Sequence, residues 1–261
     1  MSQTPHSALL LGPRQVGKST LCRSLKPLKI YNLMDERIFL EFSKDPDRLF
    51  RELEGLKQRG TIFIDEIQRI PKLLNSIQTL IDDPQNSFRF ILTGSSARKL
   101  KRGHANLLPG RLVLEKLTPL SFFEMNDFDL DYALIRGTLP GIYSDKDYGH
   151  EILKSYVEIY LKEEIQAEAL VRNIGEYARF IDTLSVLSGQ WLNYSKVASD
   201  AEIPKETVRR YLEILEDTLL AYRIPSYSHK SFSRKVVQRE KFFLFDVGIR
   251  NALLGLQGQE L

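Results

Sequence analysis

The first 120 residues alternate short apolar runs with stretches of helical periodicity. The apolar runs predict five strands, at 7–11, 29–33, 61–64, 88–92 and 112–114. The spacing of apolar positions between these runs predicts helices at 19–25, 45–54 and 73–81. Strands that alternate with helices are typical of βαβ units. We therefore expect an α/β fold in which a parallel sheet is covered by helices on both faces.

The pattern changes after Pro119. Residues 120–145 show no clear periodicity, a helix is predicted at 147–170, and shorter helices follow as far as Leu220. The chain then returns to aromatic and β-branched runs such as 241–245. We expect a second, mainly helical domain that begins between residues 120 and 150.

Composition excludes several classes of protein. The chain has 261 residues, of which 43% are apolar, enough to bury a core and to exclude a disordered chain. No apolar run approaches the roughly 18 residues that cross a bilayer. The first residues lack the features of a signal peptide, so we expect a cytoplasmic protein. A single cysteine, Cys22, and four histidines exclude an intramolecular disulfide and disfavour a cysteine-built metal site.

The charge is nearly balanced but unevenly distributed. A net charge of +3 does not by itself indicate nucleic-acid binding. Basic residues cluster at 94–111 and at 221–250, where acidic residues are few. Such clusters attract polyanions, although a solvated basic face without a partner is equally common.

One motif fits the phosphate-loop pattern G-x-x-x-x-G-K-[ST] without a gap. It comprises Gly12, Pro13, Arg14, Gln15, Val16, Gly17, Lys18 and Ser19, and Thr20 follows it into the predicted helix. Glycines let successive N–H groups point at phosphate oxygens, and the helix N-terminus adds partial positive charge. We expect these residues to bind a nucleotide, with Lys18 reaching the β- and γ-phosphates and Ser19 binding Mg²⁺.

Polar residues follow two of the other predicted strands. Asp65 and Glu66 end the run TIFIDE, and Thr93 follows FRFIL. We expect Asp65 to bind Mg²⁺, Glu66 to polarise the attacking water, and Thr93 to hydrogen-bond that water or the γ-phosphate. Plain polar turns are the alternative, above all for Thr93 and for Ser95. Because the chain has no guanine-reading N-K-x-D segment, ATP is favoured over GTP.

These segments resemble a known family. GPRQVGKSTL, FIDEIQRIP, FILTGSSARKL, LLPGR and LTPLSFFE are similar to segments of bacterial and archaeal AAA+-type ATPases with a C-terminal domain of unknown function. The similarity continues in the same order through RGTLPGIY, YVEIYLKEEI, the stretch from LSGQWLNYSKVASD to LEILEDTLL, and KFFLFDVGIRNALLG.

The resemblance implies four parts. They are a RecA/AAA+-like ATPase core at 1–120, a helical linker or lid at 121–175, a winged-helix-like domain at 176–230, and the start of a restriction-nuclease-like domain at 231–261. Members of the family continue for about a hundred residues more, a domain's length, and the acidic nuclease motif expected there is absent from this sequence. We expect a truncated chain or a protein without that domain, and the sequence does not support nuclease activity.

The resemblance also makes Arg111, in LLPGR, a candidate arginine finger. Such a residue would act on the γ-phosphate held by a neighbouring subunit, which implies a homo-oligomer. Arg102 is a weaker candidate in the same basic stretch. The alternative for Arg111 is a helix-capping or salt-bridged arginine.

A helix-turn-helix pattern lies at 193–201 and 204–219. The second helix carries an apolar stripe formed by Val208, Tyr211, Leu212, Leu215 and Leu219. Its first half exposes Lys205, Glu206, Arg209 and Arg210, the part of a recognition helix that meets base edges. We therefore name Lys205, Arg209 and Arg210 as candidate DNA contacts. The acidic second half of this helix favours the alternative, a protein-docking surface.

Together these patterns predict an ATPase. We expect Mg²⁺-dependent hydrolysis of ATP to move the winged-helix region against DNA or a protein partner. One alternative is a switch that binds ATP without hydrolysing it and so gates partner binding. A phosphotransferase is disfavoured by the acidic pair Asp65–Glu66.

Overall fold

The computed structural model divides the chain into two compact units, up to Thr118 and from Pro119. It describes residues 6–56, 58–86, 88–95, 100, 108–145, 147–160, 173–227 and 240–256. Within these ranges no helix combines the length and apolar composition that a bilayer crossing requires.

The first unit contains a five-stranded parallel sheet. The strands are β1 (Ser7–Leu11), β2 (Lys29–Asn32), β3 (Thr61–Asp65), β4 (Arg89–Gly94) and β5 (Leu112–Lys116). Their order across the sheet is β2-β3-β4-β1-β5, and every neighbouring pair is parallel. The carboxyl ends of β1, β3 and β4 therefore meet at one edge of the sheet. The predicted α/β fold class is confirmed.

The central strands form because their residues are apolar almost without interruption. In β1, β3 and β4 the apolar side chains are buried on both faces of the sheet, as in parallel sheets covered by helices. One core cluster joins Leu10, Phe63 and Ile91 of these three strands to Cys22 of the following helix. The edge strand β5 differs, since four of its five residues are exposed.

In the first unit, four α-helices lie wholly within the described residues and accompany this sheet. They are α1 (Lys18–Ser24), α2 (Glu36–Lys44), α3 (Arg48–Glu54) and α4 (Leu73–Asp82). The sequence analysis missed α2, because polar residues outnumber apolar ones in it and only Phe42 is buried. Its start has a local cause: the carboxylate of Asp35 accepts a hydrogen bond from the N–H of Arg37 at 2.9 Å.

The second unit is mainly helical. Among the described residues its α-helices and strands are α5 (Leu130–Arg136), α6 (Pro140–Ser144), α7 (Gly149–Ser155), α8 (Ile174–Leu187), α9 (Tyr194–Asp200), α10 (Lys205–Asp217), β6 (Ala221–Pro225), β7 (Glu240–Leu244) and α11 (Val247–Leu253). The expectation of irregular chain over 120–145 is wrong. Asp129 caps α5 by accepting the N–H of Tyr132 at 3.0 Å, and Pro140 stands in the first turn of α6, where a missing N–H costs nothing.

The helix predicted at 147–170 is shorter within the described residues. It runs over Gly149–Ser155 and continues as one π-helical turn, Tyr156–Tyr160. Residues 161–172, which include the rest of that prediction, lie outside the described ranges. 

Helices α9 and α10 confirm the two-helix pattern. Val208, Tyr211, Leu212 and Leu215 of the predicted stripe are buried. The prediction that Leu219 belongs to this helical stripe is wrong. Helix α10 ends at Asp217, and Leu219 lies beyond it with a positive φ of 61°.

Two strands complete this part of the unit. β6 and β7 are antiparallel, and the segment 189–192 between α8 and α9 hydrogen-bonds to β7 on its other side. Arg223 of β6 ties the strands to the helices, because its guanidinium donates to the Tyr194 hydroxyl at 2.6 Å, to Glu216 and to Glu240.

The carboxyl-terminal helix α11, which the sequence analysis missed, is locked to α5. The Asp246 carboxylate caps α11 through the N–H of Ile249 at 3.1 Å and also accepts the N–H of Thr138 at 2.8 Å. Burial raises the pKa of Asp246 in spite of these donors. The Asn251 amide donates to two carbonyl groups at the end of α5.

Candidate functional site

The loop between β1 and α1 has the geometry that its glycines allow. Gly17 has φ 89° and ψ 14°, the left-handed region that glycine adopts at no steric cost. Gly12 is needed for a close approach, because a Cβ there would lie 2.5 Å from the carbonyl oxygen of Leu117. Its N–H donates to the carbonyl of Gly94 at 3.3 Å, which ties the loop to the end of β4.

The Lys18 side chain lies along this loop. Its ammonium group is buried and donates to the carbonyl oxygens of Gly12 at 2.8 Å and Pro13 at 2.7 Å. Val16 is buried and anchors the loop in the core. The remaining motif residues are more accessible: Arg14 and Ser19 are half-buried, and Gln15 and Thr20 are exposed.

Asp65, Glu66 and Thr93 form one hydrogen-bonded group. Asp65 ends β3, Glu66 follows it, and Thr93 lies near the end of β4, the neighbouring strand. The Thr93 hydroxyl donates to the Asp65 carboxylate and accepts the backbone N–H of Glu66 at 3.2 Å. Thr93 thus contacts the two acidic residues. A buried carboxylate such as Asp65, together with a hydroxyl such as Ser19, supplies the oxygen ligands that Mg²⁺ takes.

Sequence reasoning missed Gln68. It lies in a 3₁₀ turn, Ile67–Arg69, directly after Glu66. Its side-chain N–H groups donate to the Glu66 carboxylate and, at 3.0 Å, to the Ser95 hydroxyl. The sequence signal was weak, because a single glutamine between Ile67 and Arg69, shortly after an acidic pair, is typical of many turns.

The pKa of the Cys22 thiol depends on two charged groups near it. The thiol is buried on α1, and burial raises its pKa to about 12. The negative charge of Asp65 contributes to this rise in pKa, and the positive charge of Lys18 opposes it. Asp65 and Lys18 therefore both lie near the Cys22 thiol, so the acidic end of β3 is close to the phosphate loop.

Arg111 lies elsewhere on the first unit. Arg111 precedes β5, whereas the phosphate loop follows β1. Because β1 and β5 are parallel neighbours, Arg111 lies at the amino ends of the strands and the loop lies at their carboxyl ends. Its guanidinium donates to the Asp82 carboxylate at 2.5 Å, and this ion pair lowers the pKa of Asp82. Arg102 falls outside the described residues.

The candidate DNA contacts are exposed on the second unit. Lys205, Arg209 and Arg210 all face solvent in the first half of α10, and Glu206 lies among them. Arg209 forms an ion pair with Glu206 and lies 5.9 Å from the ring centre of Tyr194. The basic residues of 228–239 lie outside the described ranges.

The fold and this loop define the first unit as a P-loop NTPase domain. Residues 4–126 match the model of a family described as an AAA domain. Residues 127–260, just over half of the chain, match the model of a family described as a domain of unknown function (DUF8612). The chain therefore belongs to the DUF8612 family and carries an AAA domain in front of the domain that defines it.

Relatives occur in bacteria and archaea. An uncharacterized protein of Mycobacterium tuberculosis is 26% identical over 95% of this chain and 56% of its own length. One of Methanocaldococcus jannaschii is 24% identical over 82% of this chain and 53% of its own length. One of Haemophilus influenzae is 25% identical over 96% of this chain and 70% of its own length. The chain thus spans little more than half the length of the first two.

Similarity to solved structures is weaker. The P-loop NTPase domain of the sigma-54 transport activator from E. coli is 17% identical, with a TM-score of 0.31 over 46% of this chain and 88% of that domain. C. elegans PCH-2 is 15% identical, with a TM-score of 0.29 over 81% of this chain and 62% of its own. The assignment of the first unit therefore rests on its strand order, its loop and the family match.

Proposed function

We propose that this protein binds ATP with Mg²⁺ and hydrolyses it at the sheet edge formed by β1, β4 and β3. One observation carries the proposal: Thr93 joins Asp65 to Glu66 by hydrogen bonds, and the loop is tied to the end of the same strand β4. A phosphate loop and an acidic pair that are this close can contact one nucleotide together.

The phosphate loop holds the triphosphate. Backbone N–H groups of residues 12–17 and the start of α1 bind phosphate oxygens, and the Lys18 ammonium exchanges its carbonyl partners for β- and γ-phosphate oxygens. Ser19 and Asp65 hold the Mg²⁺ ion, which neutralises phosphate charge when bound.

Glu66 activates the attacking water. Its carboxylate follows the metal-binding Asp65 and accepts a proton as the water attacks the γ-phosphate. The backbone of Glu66 has φ 61°, a left-handed conformation that is uncommon for a residue with a side chain and that occurs preferentially at functional sites. Asp65 and Glu66 thus leave the strand in different directions and serve different roles.

The second unit is the part that the nucleotide moves. Helices α8, α9 and α10 are followed by the β6–β7 pair, and the segment 189–192 adds a third strand-like partner to β7. This order of elements supports a winged-helix domain. We propose that ATP binding and hydrolysis change how this domain meets DNA, through Lys205, Arg209 and Arg210, or a protein partner.

The test is ATP turnover by the wild type and by Glu66→Gln, with ATP affinity measured on the same samples. We expect the variant to bind ATP normally and to lose about 10²- to 10⁴-fold in kcat, the usual contribution of a general base. Glu54→Gln, at an exposed glutamate that ends α3, is the matched control. If neither protein hydrolyses ATP, with or without DNA, the binding-switch function replaces this one.

Arg111 can act as an arginine finger only on the nucleotide that a second copy of the chain holds. Its place at the opposite sheet edge excludes contact with the nucleotide of its own chain. An arginine finger at Arg111 would make turnover depend on protein concentration, which the same assay measures over a dilution series.

A further inference from the structure

Gln68 is buried beside the proposed catalytic acid. Only 8% of the residue is exposed, although its side chain is polar. One amide group donates to two acceptors, the Glu66 carboxylate and the Ser95 hydroxyl. Ser95 is itself buried and follows β4 directly. The glutamine therefore connects the Glu66 side chain to the chain that leaves β4.

Glu66 is thus held to the same strand end at two points. Thr93 accepts its backbone N–H at 3.2 Å, and Gln68 links its carboxylate to Ser95, two residues further on. The first contact fixes the main chain of a residue in the left-handed region. The second fixes the direction of the carboxylate, which would otherwise rotate about three side-chain bonds.

Packing alone does not explain an amide at this position. The carbonyl oxygen of Gln68 is buried and has no hydrogen-bond partner among the described residues. A buried polar atom without a partner destabilises the folded state. Methionine has nearly the same length and volume and would fill the space without that penalty. The useful part of Gln68 is therefore its N–H groups.

We propose that Gln68 is a positioning residue that orients the Glu66 carboxylate for ATP hydrolysis; this inference rests on the function proposed above. One N–H group holds a carboxylate oxygen of Glu66, and the other anchors the amide on Ser95. Because the amide contacts Glu66 and not the phosphate loop, its loss affects the rate of hydrolysis and leaves ATP affinity unchanged.

The first test is Gln68→Met, with Gln85→Met, at an exposed glutamine in the turn after α4, as control. We expect Gln68→Met to keep the ATP affinity and to melt at the same or a higher temperature than the wild type. Its kcat should fall about 10- to 100-fold, the scale on which outer residues that orient a functional group act. A purely structural role would instead lower the melting temperature together with kcat.

The double variant Glu66→Gln/Gln68→Met shows whether Gln68 acts through Glu66. If it does, Gln68→Met lowers kcat in the wild type and has little further effect once Glu66 is replaced. Equal losses in both backgrounds, or an unchanged or higher kcat in Gln68→Met, overturn the inference. A wild type that does not hydrolyse ATP instead overturns the proposed function, so the two failures are distinct.

Discussion

Thr93 is the residue whose replacement tests the site geometry most directly. It is fully buried, and its hydroxyl both donates to the Asp65 carboxylate and accepts the N–H of Glu66. Thr93→Val keeps the shape of the side chain and removes both hydrogen bonds. The variant therefore isolates the contribution of one hydroxyl group.

The expected loss follows from these two contacts. A hydrogen bond to a charged group contributes about 1.5–3 kcal/mol, and a buried N–H left without a partner costs about 1–3 kcal/mol. The desolvation of the hydroxyl, which valine avoids, offsets part of this sum. We expect Thr93→Val to lower the local free energy of unfolding by about 2–4 kcal/mol.

Native-state hydrogen exchange measures this quantity at β3 and β4 without requiring that the two units unfold together. Because about 1.4 kcal/mol corresponds to a factor of ten, slow amides of these strands should exchange about 30- to 700-fold faster in the variant. The matched control is Thr79→Val, where an exposed hydroxyl on α4 donates to the carbonyl of Asn75. We expect that change to stay within about 0.5 kcal/mol. Wild-type exchange rates in Thr93→Val, or equal effects in both variants, would refute the hydrogen-bonded group.

Two further predictions concern the second unit. A Cβ on Gly248 would lie 2.0 Å from a backbone carbonyl oxygen at the end of α5, so Gly248→Ala should cost at least about 3 kcal/mol in urea unfolding, whereas Gly141→Ala, with open space around it, should be nearly neutral. In a DNA titration at low salt, Arg209→Glu/Arg210→Glu should weaken binding at least about 10-fold and flatten its salt dependence, whereas Lys154→Glu should not. Equal affinity for all three proteins would leave protein docking as the role of α10.

The strands of the first unit could be predicted because each corresponds to a short apolar run in the sequence. Every predicted strand overlaps an observed one, and β1, β3 and β4 are continuous apolar runs because they are buried on both faces of the sheet. Helix α2 was missed for the opposite reason. It buries only Phe42, and its start depends on the Asp35 cap, which by sequence is equally typical of a turn.

The second unit was harder because its order depends on contacts that are distant in sequence. In the sequence, Gly137 and Gly248 are isolated glycines and Asp246 follows an apolar run, and none of the three indicates a distant partner. In the structure these residues meet, since Asp246 accepts the N–H of Thr138 and a Cβ on Gly137 would overlap the Asp246 carboxylate. About 110 residues separate the two segments, and no local pattern indicates that they pair.

The candidate site shows the same division between local and distant information. The sequence identified Asp65, Glu66 and Thr93 separately, because each follows or ends an apolar run. The order of the strands could not be predicted from these residues.

Strand order decides whether these residues meet. Neighbouring strands lie about 4.8 Å apart, so one intervening strand would have separated Asp65 from Thr93 by about 10 Å and made their hydrogen bond impossible. Because β4 lies directly between β1 and β3, its end contacts the phosphate loop on one side and the acidic pair on the other. This position explains why Thr93 bonds the acidic pair, and why Gln68, which no motif indicates, can reach both Glu66 and Ser95.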